Sequence, residues 1–296
     1  MNTIMNSPIR ELPLDEIPER LMEIPEPPKK LYIQGEMPKG DAKFLCVVGS
    51  RKYTDYGKEV CQKLIAGLRG YNIVIVSGLA LGIDGIAHRA ALDAGLTTIA
   101  IPGSGLHPSI LYPSSNRQLV EKIIESGGAL LSEFEPMFRA TMYSFPQRNR
   151  IMAGISHATL IIEAEIKSGT LITSRLATEY NRDVMTVPGS IFSKTSEGPN
   201  MLLRLGATPV SSSSHILETL GFKIEEDKKT KELELKNLSE DERKVLTLIK
   251  NPLGRDELIR ELVKSGMSVG NSSALLSIME IKGLIEEKMG EIRSAS

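Results

Sequence analysis

The sequence predicts an α/β protein, an open parallel sheet with helices on both faces, followed by a small C-terminal winged-helix domain. Three observations carry this reading. From residue 43 onward, short apolar runs alternate with helix-length amphipathic segments, and strand–helix repetition implies a parallel sheet covered on both sides. The runs are apolar at successive positions, as strands buried on both faces are. A charged stretch then separates this repeat from three helical segments and a short hairpin.

Strands are read at "KFLCVV" (43–48), "NIVIVS" (72–77), "TTIAIP" (97–102), "GALLSE" (128–133), "ATLIIEA" (158–164) and "DVMTVPG" (183–189). Helical spacing lies between them, as in "YGKEVCQKLIAGLRG" and "GTLITSRLATEYNR". The first 40 residues are rich in proline and acidic residues. Proline disfavours long regular elements, so this segment is expected to wrap the sheet edge as extended chain. Residues 41–222 form the sheet domain. Residues 223–236, "KIEEDKKTKELELK", read as a solvated linker or exposed helical extension. In 237–296, "LSEDERKVLTLIKN", "GRDELIRELVKSG" and "SVGNSSALLSIMEIKG" are three helices and "LIEEKMGEIRSA" a hairpin, the order of a winged helix.

Of the 296 residues, 41% are hydrophobic and 25% charged, ordinary for a soluble globular chain. No run approaches the roughly 20 apolar residues that span a bilayer, so no membrane association is expected. The N-terminus lacks the basic-then-apolar pattern of a secretion signal. Cys46 reads as part of a buried strand and Cys61 as part of a helix, so no disulfide framework is expected and a reducing cytoplasm is the default.

A net charge of −1 does not announce a nucleic-acid binder. Local clustering does better: Arg51 and Lys52, Arg148 and Arg150, and Lys167 fall near strand ends. In open α/β sheets, ligands bind outside the carboxyl ends of the strands. There this chain has "GSRKYTDYG", "SGLALGIDG", "GSGLHPSILYPSSN" and "EIKSGT". Their glycines and hydroxyl residues, among them Ser77, Gly78, Gly103, Ser168, Gly169 and Thr170, let backbone approach a ligand, and the following helix N-termini offer N–H groups to anions. Turn geometry alone explains one such loop. Four together, three with Arg, Lys or His, favour a phosphate-rich ligand.

In "SFPQRNRIMAGIS" (144–156), Arg148 and Arg150 flank Asn149 ahead of an apolar run. Read as the first turn of a surface helix, this placement opposes the helix dipole. Phosphate charge from a ligand is expected to offset it; the alternative is Arg150 paired with Glu133 or Glu163 at the sheet edge.

Other chemistries lose support. No G-x-x-x-x-G-K-[ST] occurs, and "GSGLHP" (103–108) lacks the third glycine of a dinucleotide fingerprint. No cysteine–histidine spacing suits zinc. No cofactor or metal is expected. His88, His107, His157 and His215 are expected in packing or surface roles, with His107 in a ligand-facing loop. Asp84 is a candidate helix N-cap. Glu133, Glu135, Glu163 and Glu165 also lie near the expected cleft, but nothing in their spacing fixes a catalytic pair.

"VVGSRKYTDYG", "SGLALGIDGIAH", "YPSSNRQL", "SEFEP", "FPQRNRIMAGIS", "IIEAEIKSGTLITSRLATEYNRDVMTVPG" and "EGPNMLLRLGA" occur in this order. Over roughly residues 30–210 the chain therefore resembles the DNA-processing protein A family (DprA, also called Smf). The resemblance implies an extended Rossmann-like domain that binds single-stranded DNA without catalysis, forms a homodimer, and loads RecA recombinase in natural transformation and recombination. Arg51 resembles the family's phosphate-gripping arginine, with Lys52 beside it. Asn116, Arg148, Arg150 and Lys167 match positions lining the same groove, together with Asn149 and the loop residues above. Aromatic residues make up 4% of the chain, so base stacking is expected to be limited, with Phe145 and Tyr112 the best placed. Apolar faces in "MLLRL" and "HILETLGF" exceed what one sheet face needs and are expected at a dimer contact.

Two departures stand out. The stretch ahead of residue 43 is too short for the SAM-like domain that many members carry, so none is expected. Asn181 stands where the family usually has glycine, and asparagine tolerates the left-handed conformation of a helix C-terminus. Two other functions fit these residues less well. A nucleotide phosphoribohydrolase of similar fold carries P-G-G-x-G-T, which "PGSGLH" does not match. A transcription factor would read DNA through helix 268–282, whose only basic residue is Lys282, whereas groove readers present Arg, Lys, Asn or Gln.

Overall fold

A computed structural model describes residues 7–38, 40–223, 238–288 and 290–294. The chain divides into two compact units, Met1–Ile224 and Glu225–Ser296. The linker read at 223–236 lies, after its first residue, outside the described residues.

The larger unit begins with β1 (Arg10–Glu11), the short helix α1 (Glu19–Met22) and β2 (Tyr32–Gly35). Six strands follow, β3 (Lys43–Val48), β4 (Ile73–Ser77), β5 (Thr97–Ala100), β6 (Ala129–Ser132), β7 (Ala158–Ile161) and β8 (Asp183–Thr186), then β9 (Thr208–Pro209). They form one nine-stranded sheet in the order β1-β2-β6-β5-β4-β3-β7-β8-β9. The strands from β3 to β9 pair in parallel, and β1 and β2 add antiparallel at one edge. All six apolar runs thus became strands.

Between them lie α2 (Asp55–Ala66), α3 (Ile83–Asp93), α4 (Arg117–Glu125), α5 (Ser144–Ile155), α6 (Thr170–Glu179), α7 (Glu197–Arg204) and α8 (Ser213–Thr219). Alternation along β3 shows why both sheet faces are covered. Leu45 and Val47 join a core with Leu64 of α2 and Ile86 of α3. Phe44, Cys46 and Val48 join the opposite core with Leu21 of α1 and Met152 of α5. Cys46 and Cys61 are buried and free. Asn181 adopts φ 54°, the left-handed conformation read for it.

The N-terminal segment is more than an extended wrap. β2 pairs with β6, and Leu21, Leu31 and Ile33 are fully buried. A Cβ on Gly154 of α5 would meet Ile24 at 2.9 Å and Leu21 at 3.0 Å, so this segment packs directly on α5. The apolar face of "HILETLGF" is likewise used internally. Ile216, Leu217 and Leu220 sit in the core, and Phe222 meets Tyr71 edge-on with ring centroids 5.4 Å apart. In the stretch of chain ahead of α8, Ile191 (82%), Phe192 (92%) and Leu205 (75%) are exposed.

The smaller unit has helices Glu240–Leu248, Arg255–Lys264 and Val269–Ile281 and a three-stranded antiparallel sheet of Leu253–Gly254, Ile285–Lys288 and Glu291–Ser294. Its first helix opens with a capping box, Ser239 accepting the Glu242 N–H while the Glu242 carboxylate accepts the Ser239 N–H. Leu258, Leu262, Leu276, Met279 and Ile292 form its core. Its basic residues near the third helix are occupied: Arg255 pairs with Glu280 and Glu287, and Lys282 with Glu242. Among the described residues of both units, no helix is long and apolar enough to cross a membrane.

Candidate nucleic-acid interface

The sheet order places β4 on one side of β3 and β7 on the other. The connections therefore leave β3 and β7 in opposite senses, and the loops after them part to leave a crevice. A cleft of about 630 Å³ opens there, between the loop after β3 and the loop leading into α6.

Nine of the expected site residues line this cleft: Arg51, Lys52, Phe145, Arg148, Asn149, Lys167, Ser168, Gly169 and Thr170. Arg51, Lys52 and Lys167 are exposed. The Arg51 loop is held by Ser50, whose Oγ donates to the Lys52 carbonyl (2.7 Å) and accepts the Lys52 N–H (3.1 Å). The loop then ends at Thr54, the N-cap of α2, where Oγ1 accepts the Gly57 N–H. Glu163, buried at the end of β7, accepts the Thr54 N–H (2.9 Å), the Thr54 hydroxyl (2.6 Å) and the Thr195 hydroxyl (2.8 Å). On the far wall, Ser168 accepts the Thr170 N–H, and Thr170 Oγ1 donates to the Gly49 carbonyl (3.1 Å). Those bonds tie the two walls together at their base.

The aromatic residues stand at the mouth. The Arg51 guanidinium lies over the Phe145 ring, 5.2 Å from its centroid. Tyr112 is tilted against Phe145 with centroids 6.1 Å apart. Gly78 and Tyr112 line a small hollow that adjoins this pair. Gly103 makes room for Phe145, since a Cβ there would stand 2.6 Å from the ring.

Four expected residues play other parts. Ser77 is fully buried and its hydroxyl donates to the Val47 carbonyl (2.6 Å). Asn116 is buried and donates to the carbonyls of Leu79 (2.8 Å) and Ala80 (3.3 Å), steadying Leu79 at φ 61°. Arg150 pairs with Glu133 and donates to the Glu26 carbonyl (2.6 Å), outside the cleft. Arg148 lines the cleft floor but is only 5% exposed, its Nη1 donating to the carbonyls of Gly78 (2.5 Å) and Ile101.

The helix-dipole reading of "RNR" is therefore corrected. α5 begins at Ser144, whose hydroxyl accepts the Thr141 N–H (2.9 Å) and donates to the Gly103 carbonyl (2.6 Å). Proline at 146 fits a first helical turn. Arg148 and Arg150 then lie beyond that turn, where the dipole effect has faded. Their charges are answered from within the protein.

Asp84 is not the N-cap of α3, a place held by Gly82 at φ 84°. It is buried and accepts N–H groups of Ala80, Gly49 and Gly78; burial raises its pKa, which neighbouring Arg148 and these bonds oppose. Glu165 is an exposed carboxylate on the rim. His107 lies in a separate hollow of about 710 Å³ beside the N-terminal segment and α4. His88 and His157 are packing residues, held neutral by burial at pKa values of about 3 and about 4. Ser50 and Met142 also line the cleft; the "GSR" triplet signalled the first, and nothing in the sequence signalled the second. No group of three or more metal-ligating side chains exists among the described residues.

The sequence pattern of the family DNA recombination-mediator protein A matches residues 12–221, well over half of the chain. The chain belongs to that family. Within the recombination-mediator family, Protein Smf of Escherichia coli is 40% identical over 205 residues, covering 69% of this chain and 54% of that protein. Protein Smf of Synechocystis is 40% identical over 210 residues, covering 70% and 52%. The chain thus spans about half the length of these two relatives. DNA processing protein DprA of Streptococcus pneumoniae is 39% identical over 208 residues, covering 70% and 72%. The solved structure of the S. pneumoniae protein superimposes with a TM-score of 0.65 at 37% identity, over 73% of this chain and 75% of that one. The structure of DNA processing protein A from Helicobacter pylori, solved to explain its single-stranded DNA binding mode, gives 0.64 at 31% identity, over 73% and 96%. The α/β sheet of the larger unit is the fold of this recombination-mediator family.

Proposed function

We propose that this chain binds single-stranded DNA in the cleft between β3 and β7, protects it, and loads RecA recombinase onto it in natural transformation and recombination. The observation that carries the reading is the juxtaposition of Arg51, Lys52 and Lys167, all exposed, with Phe145 on one cleft, Tyr112 tilting against that ring from the adjoining hollow. Single strands are bound by cations that track phosphates and by rings that stack on bases without regard to sequence. The S. pneumoniae and H. pylori relatives support the same reading.

Arg51, Lys52 and Lys167 take phosphates in this reading, Phe145 and Tyr112 take a base, and Asn149, Ser168, Gly169 and Thr170 supply polar contacts. Catalysis is not part of it. Glu163 is buried and held by three donors and Asp84 is buried against backbone N–H groups. The protein acts in the cytoplasm as a homodimer, with Ile191, Phe192 and Leu205 as the apolar contact.

Gel shifts with matched single- and double-stranded oligonucleotides test this function. Preferential retardation of the single strand is expected; equal binding of the duplex contradicts it. Incubation with nucleoside monophosphates should release no free base, and release would favour the phosphoribohydrolase reading.

A further inference from the structure

Two charged side chains are buried beneath the cleft, Asp84 (6% exposed) and Arg148 (5% exposed). They face each other across Gly78, where an added Cβ would stand 2.5 Å from Asp84 Oδ2 and 2.3 Å from Arg148 Nη1. Each holds backbone. Arg148 donates to the carbonyls of Gly78 and Ile101, joining the ends of β4 and β5. Asp84 accepts N–H groups of Gly49, Gly78 and Ala80, joining the loops that follow β3 and β4. Those loops touch at Gly82, whose Cβ would stand 2.3 Å from the Ser50 carbonyl oxygen and 2.7 Å from Arg51 Cα. The loop that carries Arg51 is fastened at this point.

In an α/β sheet, backbone donors at the strand ends and helix N-termini are where a ligand phosphate settles. Here a carboxylate of the protein already holds the donors of Gly49, Gly78 and Ala80. Phosphate is left to the side-chain cations of the rim. Arg148 Nε is buried without a hydrogen-bond partner, so that edge of the guanidinium is closed to DNA.

We infer that Asp84 and Arg148 are positioning residues: Asp84 acts as a built-in anion on the strand-end donors, Arg148 clamps the adjoining carbonyls, and together they hold Arg51 over Phe145 without contacting DNA phosphate. The inference rests on the single-stranded-DNA reading above. It also separates two guanidiniums of one cleft by role, one gripping the ligand and one gripping the protein.

The test is a fluorescence-anisotropy titration of the full chain with a labelled oligothymidylate across a salt series, for wild type, Asp84→Asn, Arg148→Met, Arg148→Lys and Arg51→Ala. Asp84→Asn and both Arg148 variants should weaken binding about tenfold at each salt concentration, with the slope of log affinity against log salt unchanged. Arg148→Lys keeps the charge but loses the planar fork, so it should not rescue. Arg51→Ala should lower the slope by about 0.7. Amide hydrogen exchange should quicken over 49–54 and 78–82 in the Asp84 and Arg148 variants, which reads the fastening independently of DNA and of any one variant's yield. A slope lowered by about 0.7 in Arg148→Met and restored in Arg148→Lys would assign Arg148 to phosphate and overturn the inference. Unchanged affinity, or unchanged exchange in both loops, would also overturn it. Wild type that binds no oligothymidylate would overturn the DNA reading itself, while loop exchange would still judge the fastening.

Discussion

Arg51 lies over the ring of Phe145, its guanidinium carbon 5.2 Å from the ring centroid. The pair joins the loop after β3 to the start of α5, nearly a hundred residues later. An exposed cation on an aromatic face contributes about 0.5–1 kcal/mol. Its larger value here is geometric. A nucleotide entering the cleft meets a phosphate contact and a base platform at one point, with the guanidinium already restrained.

Arg51→Ala should therefore weaken single-strand binding about tenfold or more, and Arg51→Lys should restore only part, because lysine lacks the bidentate fork. Phe145→Ala should weaken binding by about 1–3 kcal/mol, the range for base–aromatic stacking, without altering the salt slope. Salt titrations of the three variants separate the two contributions.

Arg150 is expected to behave differently from Arg51. It pairs with Glu133, whose side chain is largely buried and whose Oε1 has no hydrogen-bond partner. Removing the guanidinium leaves a carboxylate nearly sealed from water, which costs about 2 kcal/mol or more. Arg150→Ala should lower the melting temperature and leave the salt slope of DNA binding at its wild-type value. A reduced slope with an unchanged melt would return Arg150 to the groove.

His88 gives a pH dependence of known sign. Its Nδ1 lies 2.7 Å from Thr98 Oγ1, whose proton goes to the Ile75 carbonyl, so Nδ1 donates. Desolvation, aided by Arg89 and Arg148, pushes its pKa down to about 3. The unfolded chain binds a proton near pH 6.5 and the folded one does not, so stability falls as pH drops from about 6.5 toward about 3. The contribution is constant above that window. His88→Gln, compared with wild type by thermal melts at about pH 7.5 and about pH 5 (values above and within the window), should lose less stability on acidification. An equal loss in both would contradict the assignment.

Gly82→Ala should be severely destabilising. Its φ of 84° disfavours any side chain, and the new Cβ would stand 2.3 Å from the Ser50 carbonyl oxygen. Strain of this kind costs about 1–3 kcal/mol before the clash is counted. Denaturant melts should show the loss, and DNA affinity should fall with it because the Arg51 loop is what moves.

Phe192→Asp should shift the protein toward monomer in sedimentation at micromolar concentration. The argument is the exposure of Ile191 and Phe192 ahead of α7 and of Leu205 at its C-terminal end. A wild type that sediments only as monomer would remove the apolar contact from the account.

The sheet was legible because its signal is local. Six apolar runs, apolar on both faces, became six parallel strands, five of them with ends shortened. Asn181 was legible because only its own backbone conformation was at issue. The edge was not. β1 has two residues and takes its place from β2, which in turn takes its register from β6 more than ninety residues away. The site was legible as a set of loops, since Arg51, Lys52, Phe145 and Lys167 do meet. Side-chain direction within those loops was not. Ser77 and Asn116 turn inward to satisfy carbonyls of Val47, Leu79 and Ala80, and of the two carboxylates open to Arg150 the packed structure selects Glu133. Periodicity says which residues share a loop or a helix, and only the packed structure says which backbone groups need a partner.

The central claim is that the rim cations Arg51, Lys52 and Lys167 grip the phosphates of a single strand. The most direct measurement is the salt dependence of oligothymidylate affinity for wild type and for the triple alanine variant, both verified as folded. Each lost phosphate contact lowers the slope of log affinity against log salt by about 0.7, so the triple variant should lose about 2.1. A slope equal to that of wild type would contradict the account.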